Sequence, residues 1–491
     1  MKLLKRIVAF LFAAISVTAF GCGGNKGGND PDNVVTIRVG DLITDVSGTN
    51  AYIRNRQRSF ETQNPDIKVE HVANPVTDST RTMQQIMQNF NVPSEACTIL
   101  STTAANYSRS LYQMGIIDDW SAYLTAEQKA QYREEVISSL TSSSGALTGF
   151  PTTLETPLIG FNRAHLRSEY VRKALLGEEH YQDANAMTQI DALLDGITTW
   201  DDYYQIVKKL TGEYSVNFKN KVVSGYAGYY TDYYLGFGVW FIANGYGLVE
   251  QHSDGTIDVD LTEESAVEAI EFLQRMYAED ITKLNANIGF TEFYNAIFDY
   301  RVASFIYYPT WASWFQSKSL PASEIKVINI PDGPMVQEKR ENGEPTPNTN
   351  PSFCINYVLN KSATAEQKRA ATRYLLYMYG SEAYEEKVQY QLENDIESFL
   401  LPPTNFTETY LKETILSTAP TDWETSIANA LNNLYVLECD TDNWRTLING
   451  DMPSLIQKGT SYVGDALTSR LNVLNDRIYS EFLTEYNNNR G

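Results

Sequence analysis

The sequence predicts an α/β protein of two lobes, and three observations carry that prediction. Strand-like runs rich in β-branched residues alternate with helical stretches, the signature of βαβ units and a mostly parallel sheet. The 491 residues exceed what one ordinary hydrophobic core organises, so two lobes are expected. No segment repeats along the chain, which disfavours a solenoid.

The chain opens with a leader, not with the fold. Lys2, Lys5 and Arg6 precede an apolar run from Ile7 to Phe20, and Gly21-Cys22 follows. A basic segment, an apolar segment and small residues at the cleavage point make residues 1–21 a secretory signal. The run is too short to span a membrane as a helix. Cleavage before Cys22 would expose a cysteine for acylation. The site resembles the lipobox of bacterial lipoproteins, with Ala19 where leucine is usual and a bulky Phe20. Residues 22–33 carry no apolar side chain beyond that cysteine and read as a flexible tether. An exported protein is expected, lipid-anchored through Cys22 on the outer face of the cytoplasmic membrane, with ordinary cleavage after Ala19-Phe20-Gly21 as the alternative.

VVTIRVGD (34–41) is the first strand, followed by a helix through Ile53 and Phe60. IKVEHV (67–72) and ACTILS (96–101) are the next two strands. A helix through Tyr107, Leu111 and Tyr112 stops at Gly115. Residues 145–161, GALTGFPTTLETPLIGF, are punctuated by Gly and Pro and read as extended. Helices are expected at 165–176, 186–195 and 199–211. In LTEESAVEAIEFLQRMY the residues Val267, Ile270, Leu273 and Tyr277 share one helical face. VASFIYY (302–308) and KVINIP (326–331) are strands, and 332–351 reads as an exposed, mobile loop. FCINYVLN (353–360) is a strand and 363–379 a helix. Val463, Leu467, Leu471, Leu474, Ile478 and Phe482 recur every three or four residues, so the C-terminus is helical.

Without the leader, 36 basic side chains face 61 acidic ones, a net charge of −25. That disfavours nucleic acid and anionic membrane surfaces as partners. Besides Cys22 there are Cys97, Cys354 and Cys439. The odd count leaves at least one thiol free and excludes a disulfide framework. Cys97 and Cys354 lie in apolar runs and read as buried small side chains. Phosphate-binding glycine loops, nucleophile elbows and metal-ligand spacings are absent. His71, His165, His180 and His252 are scattered, which argues against Ser-His or Cys-His catalysis. No catalytic residue, metal or cofactor is expected. With 61 acids some carboxylate pair is always possible, so a secreted glycosidase stands as the enzymatic alternative.

One stretch is unusual: in YYTDYYLGFGVWF (229–241) seven of thirteen side chains are aromatic. Such rings fill cores, and they also form the floor of ligand clefts. Composition leaves both readings open. Seven rings cannot share one face of a helix or strand, so a division of labour is expected. Glu155, an acid among apolar and small residues, reads either as a hinge salt bridge or as a ligand contact. Trp311 in YYPTWASW reads equally as core or as a ligand platform.

The order of these signals is more telling than any one of them. A lipoprotein-type leader precedes VVTIRVGD and SFETQNPDIKVEH. TILSTTAANYSRSLYQMGIIDDW, GFPTTLETPLIGFN, TTWDDYYQIVKKL and YRVASFIYYPTWASW follow. This series resembles the extracellular solute-binding proteins that deliver oligosaccharides to ABC importers, the family of the maltodextrin-binding protein. The resemblance covers nearly the whole mature chain. It implies a periplasmic-binding-protein fold: two lobes, each a mixed sheet flanked by helices, with the ligand cleft between them. It places crossovers at GFPTTLE (149–155), around Ile330-Pro331, and near ESFLLPP (397–403). The first lobe would then hold 34–150 and 332–398, and the second 151–331 and 399–491.

The resemblance also implies a function, that of a non-catalytic monomer which captures an oligosaccharide and delivers it to a membrane permease. A receptor of the same fold for a peptide or polyamine is the alternative. By this resemblance Glu155 bonds sugar hydroxyls and Trp311 stacks on the sugar, while Trp314 packs. Tyr229, Tyr230 and Tyr233 would border the cleft, and Phe237, Trp240 and Phe241 would be core. From the first lobe, Asp41, Thr44 and Asp45 follow the first strand, and Thr103 and Asn106 follow the third. Strand C-terminal ends are where open α/β sheets bind ligands, although each of these residues could instead cap a helix. The sequence departs from the family at FDYRVASF (298–305), where Arg301 replaces a glycine, and at 176–198, which reads as an insertion.

Overall fold

The computed structural model describes residues 34–40, 50–72, 87, 90, 96–102, 105–142, 144–216, 221–225, 227–228, 236–247, 250–252, 256–282, 290–397, 399–436, 442–457 and 462–484. Two main sheets organise them. β1 (Val35–Gly40) pairs in parallel with β2 (Ile67–Val72), Val35 opposite Ile67, and with β3 (Ile99–Thr102). β4 (Phe150–Glu155) joins this sheet as well. Only Thr156 and Pro157 then separate it from β5 (Leu158–Asn162), which belongs to the second sheet.

A hairpin of β6 (Gly212–Val216) and β7 (Lys221–Gly225) and the short β8 (Ala227–Gly228) come next. β9 (Glu250–Gln251) pairs with β10 (Ile257–Asp258). β11 (Ser304–Tyr307) and β12 (Ile325–Ile328) both lie antiparallel to β5, and β11 runs parallel to β8. The chain returns to the first sheet as β13 (Asn350–Leu359). That strand is antiparallel to β3 and β4 and, at its start, parallel to β14 (Leu434–Val436). Both sheets are mixed. β5 and β13 each arrive from the other sheet, so they need not run parallel to their neighbours as a same-sheet crossover would require.

The second sheet is apolar on both faces. Ile159, Phe161, Ile306, Tyr308 and Ile328 face one core, shared with Trp200, Tyr203, Trp240, Phe241 and Ile270. Leu158, Phe305, Tyr307, Ile325 and Val327 alternate with them and face the other. Burial on both faces explains why these strands are mostly apolar, with Ser304 and Lys326 among the buried polar exceptions. The second core does not stop at the sheet edge, and it continues into Ile37, Val39, Leu154, Cys354 and Tyr357 of the first sheet. Cys97 and Cys354 are buried, as expected.

Residues 332–351 are not a mobile loop. Pro334–Glu341 form a helix with Pro334 in its first turn and Val336 buried. Proline suits that position, and the residues behind it are mostly good helix formers. Asn244, fully buried, ties the helix down. Its Oδ1 accepts from Met335 N at 2.9 Å, and its Nδ2 donates to Ser265 O (2.9 Å) and Glu268 Oε2 (2.8 Å). The Gly333 amide donates to Ala243 O at 2.8 Å.

Three further expectations are adjusted. The helix expected at 165–176 is split into Arg163–Leu166 and Glu169–Leu176, with Ser168 capping the second piece. Residues 434–436, in the segment assigned by resemblance to the second lobe, add β14 to the first sheet. At the C-terminus, Asp465–Ile478 buries Leu467, Leu471, Leu474 and Ile478, but Val463 precedes the helix and is 57 % exposed. Among the described residues no helix is long and apolar enough to cross a membrane.

Candidate ligand-binding site

Glu155 is the last residue of β4, at the point where the chain leaves the first sheet. It is only 5 % exposed. The hydroxyl of Thr310 donates to its Oε2. Thr310 lies in the 3-10 turn Pro309–Trp311, directly after β11 of the second sheet. The hydrogen bond therefore joins one sheet to the other. Burial pushes the Glu155 carboxyl up to about 7, and the Thr310 hydrogen bond partly opposes that rise. No ion pair accounts for Glu155, so the hinge salt bridge is not what the structure shows among the described residues.

Aromatic side chains flank this pair. Trp311 is half-buried and packs against both cores. Its ring meets Tyr308 at 4.6 Å and Tyr294 at 5.2 Å between centroids. Phe353 stands opposite Glu155 in the β4–β13 register, on the same face of the sheet. It is half-buried, and its ring lies 5.9 Å from Tyr308. Trp311, Tyr308 and Phe353 thus form a row of rings that begins on the second sheet and ends on the first. Tyr435 of β14 is half-buried and reaches across to donate to the Gly247 carbonyl.

The sequence singled out Glu155 and Trp311, and Glu155 accepts a hydrogen bond from Thr310, the residue before Trp311 in the chain. Trp314 packs against Tyr294, Phe298 and Phe315. Phe237, Trp240 and Phe241 are buried in the core. Asp41, Thr44, Asp45, Thr103, Tyr229, Tyr230, Tyr233 and Cys22, the residue expected to carry a lipid, lie outside the described residues. Asn106 lies in the helix Ala105–Gln113, and its side chain is likewise outside the description. Thr310, Phe353 and Tyr435 were not picked out. Phe353 becomes visible only through the β4–β13 register, and Thr310 only through the meeting of two sheets. Among the described residues no group of three His, Cys, Asp or Glu could hold a metal ion.

Such a site can bind and orient: a buried carboxyl for polar edges, and rings on two sides for apolar faces. Comparison with solved structures places the fold. An ABC substrate-binding protein from Listeria monocytogenes, solved with cycloalternan, superposes with a TM-score of 0.64 at 15 % identity. The match covers 91 % of this chain and 98 % of that one. The maltotriose-binding protein of Thermus thermophilus, solved with maltotriose, gives 0.61 at 12 % identity, over 90 % and 99 %. A receptor from Streptomyces glaucescens, solved unliganded and with acarbose, gives 0.62 at 13 % identity, over 91 % and 97 %. At such identities the likeness is one of fold, and the fold is the two-lobed α/β architecture of the maltose-binding proteins. No curated protein matches the sequence. The profile of the bacterial extracellular solute-binding proteins matches residues 56–393, more than half of the chain, and the chain belongs to that family.

Proposed function

We propose that this protein is the substrate-binding component of an ABC importer. It captures an oligosaccharide between its two sheets and hands it to a membrane permease. One observation carries the reading: Glu155 and Thr310 meet between the sheets inside a row of half-buried and buried rings. A sugar needs hydroxyl-bonding groups at its edges and flat apolar surface on its faces, and that junction offers both. The ligands of the structural neighbours, cycloalternan, maltotriose and acarbose, agree in class.

Asp41, Thr44, Asp45, Thr103, Asn106, Tyr229, Tyr230 and Tyr233 complete the ligand site in this reading. The lobes comprise 34–150 with 332–398, and 151–331 with 399–491, and the second also lends β14 to the first sheet. The protein works as a monomer and without catalysis. A glycosidase would need a second carboxyl about 5–10 Å from Glu155. Among the described residues no other acid acts on the Glu155 carboxyl. A polyamine receptor would need several carboxylates, and the described junction supplies one. Residues 1–21 are a signal and 22–33 a tether, with a lipid on Cys22 holding the body outside the cytoplasmic membrane.

Incubation with a panel of neutral oligosaccharides tests the function. A receptor raises its melting temperature with at least one of them and releases no shorter product. Shortened products would identify a glycosidase instead. For the anchor, Cys22→Ser should fold normally and leave the membrane fraction, and retention there would assign the anchor elsewhere.

A further inference from the structure

Among the described residues, the surroundings of Glu155 are almost free of charge. On β13 the residue opposite is Phe353. The titratable group beside it is Cys354, whose thiol burial pushes up to about 12, so it is neutral. Thr156 and Pro157 follow on its own segment, and Thr310 faces it from the turn after β11. Among the described residues no cation and no second carboxyl acts on it. The Thr310 hydroxyl is the polar group that opposes the effect of burial. It engages Oε2, and Oε1 has no protein partner among the described residues.

We propose that Thr310 is a positioning residue for the ligand-binding carboxyl: its hydroxyl holds Oε2 and so presents Oε1 to the ligand. The proposal rests on the reading of Glu155 as a ligand contact and extends it in two ways. A hydroxyl that donates to a carboxyl favours the ionised form. Thr310 therefore sets the pH at which Oε1 becomes a charged acceptor for a ligand hydroxyl, the stronger kind of hydrogen bond. The same surroundings select the ligand's charge. A ligand carboxylate at this subsite would meet a buried acid that no cation among the described residues offsets, so the subsite takes an uncharged polyhydroxy group.

Carbon-13 NMR titration of the Glu155 carboxyl, without ligand, tests the positioning role in the wild type, Thr310→Val and Thr310→Ser. Thr310→Val should raise the titration midpoint by about half to one pH unit, and Thr310→Ser, which keeps the hydroxyl, should leave it in place. Maltotriose is the binding probe. Its affinity should rise as pH increases through the midpoint, and Thr310→Val should lose about three- to tenfold at pH 7. An unchanged midpoint in Thr310→Val, or equal shifts in both variants, overturns the role of Thr310. Wild-type binding and an unaltered pH profile in Glu155→Gln would sink the underlying reading of Glu155 instead.

Discussion

At the scale of single residues, Glu155 makes the fold itself sensitive to pH. Burial holds its proton up to about 7, whereas in the unfolded chain the group ionises near its ordinary 4.5. The folded state therefore binds more protons than the unfolded state between those values. The stability from this group is complete below the unfolded value and is lost as pH rises through the folded one. Glu155→Gln is neutral throughout and should flatten the fall in melting temperature between about pH 5 and 8. At the upper end it should exceed the wild type by on the order of 3 kcal/mol. Parallel melting curves across that range would mean that the carboxyl is ionised in the native protein. Trp311 is a second test. Because it packs on both cores, Trp311→Ala should lose melting temperature as well as ligand. Truncating a central aromatic anchor costs about 2–4 kcal/mol of affinity, thirty- to a thousandfold. Calorimetric titration that finds undiminished affinity would make Trp311 core alone.

At the scale of elements, the helix Pro334–Glu341 depends on a close approach. A Cβ on Gly333 would meet three atoms of Asn244 at under 3 Å. Asn244 is held on both sides and cannot give way cheaply, so Gly333→Ala should destabilise the protein by about 1–3 kcal/mol. Denaturant unfolding measures it, and a change within error would show that the helix can shift without loss. This element also shows where legibility ended. Strands such as β1, β2 and the run around β11 were plain, because alternation and β-branching act locally. The helix at 334–341 was hidden, because Gly, Pro and charge read as a loop until Asn244 is known to anchor it. Glu155 and Trp311 stood out by composition, an acid in an apolar run and a ring in a short aromatic cluster. Thr310 and Phe353 owe their place to contacts between segments far apart in sequence, which no local pattern encodes.

At the scale of the molecule, binding between the sheets implies movement of one against the other. A ligand that touches both favours the arrangement in which both are in reach. Small-angle scattering with a saturating oligosaccharide should therefore give a smaller radius of gyration than the unliganded protein. An unchanged radius would mean a preformed, rigid site. The two-lobed plan was legible from length and from the order of motifs. The sharing of β13 with β14 was not, because it depends on the path of the last hundred residues.

The core that runs unbroken from Leu158 and Phe305 into Leu154 and Cys354 has a mechanical consequence. Close-packed apolar side chains resist separation but tolerate slight tilting, so that seam acts as a fulcrum. Displacement in a lever grows with distance from its pivot. Glu155 and Thr310 sit beside the seam, so a small rearrangement there is magnified at the outer rims. A ligand held at Glu155 would work on the short arm, and whatever senses its capture would read the long one.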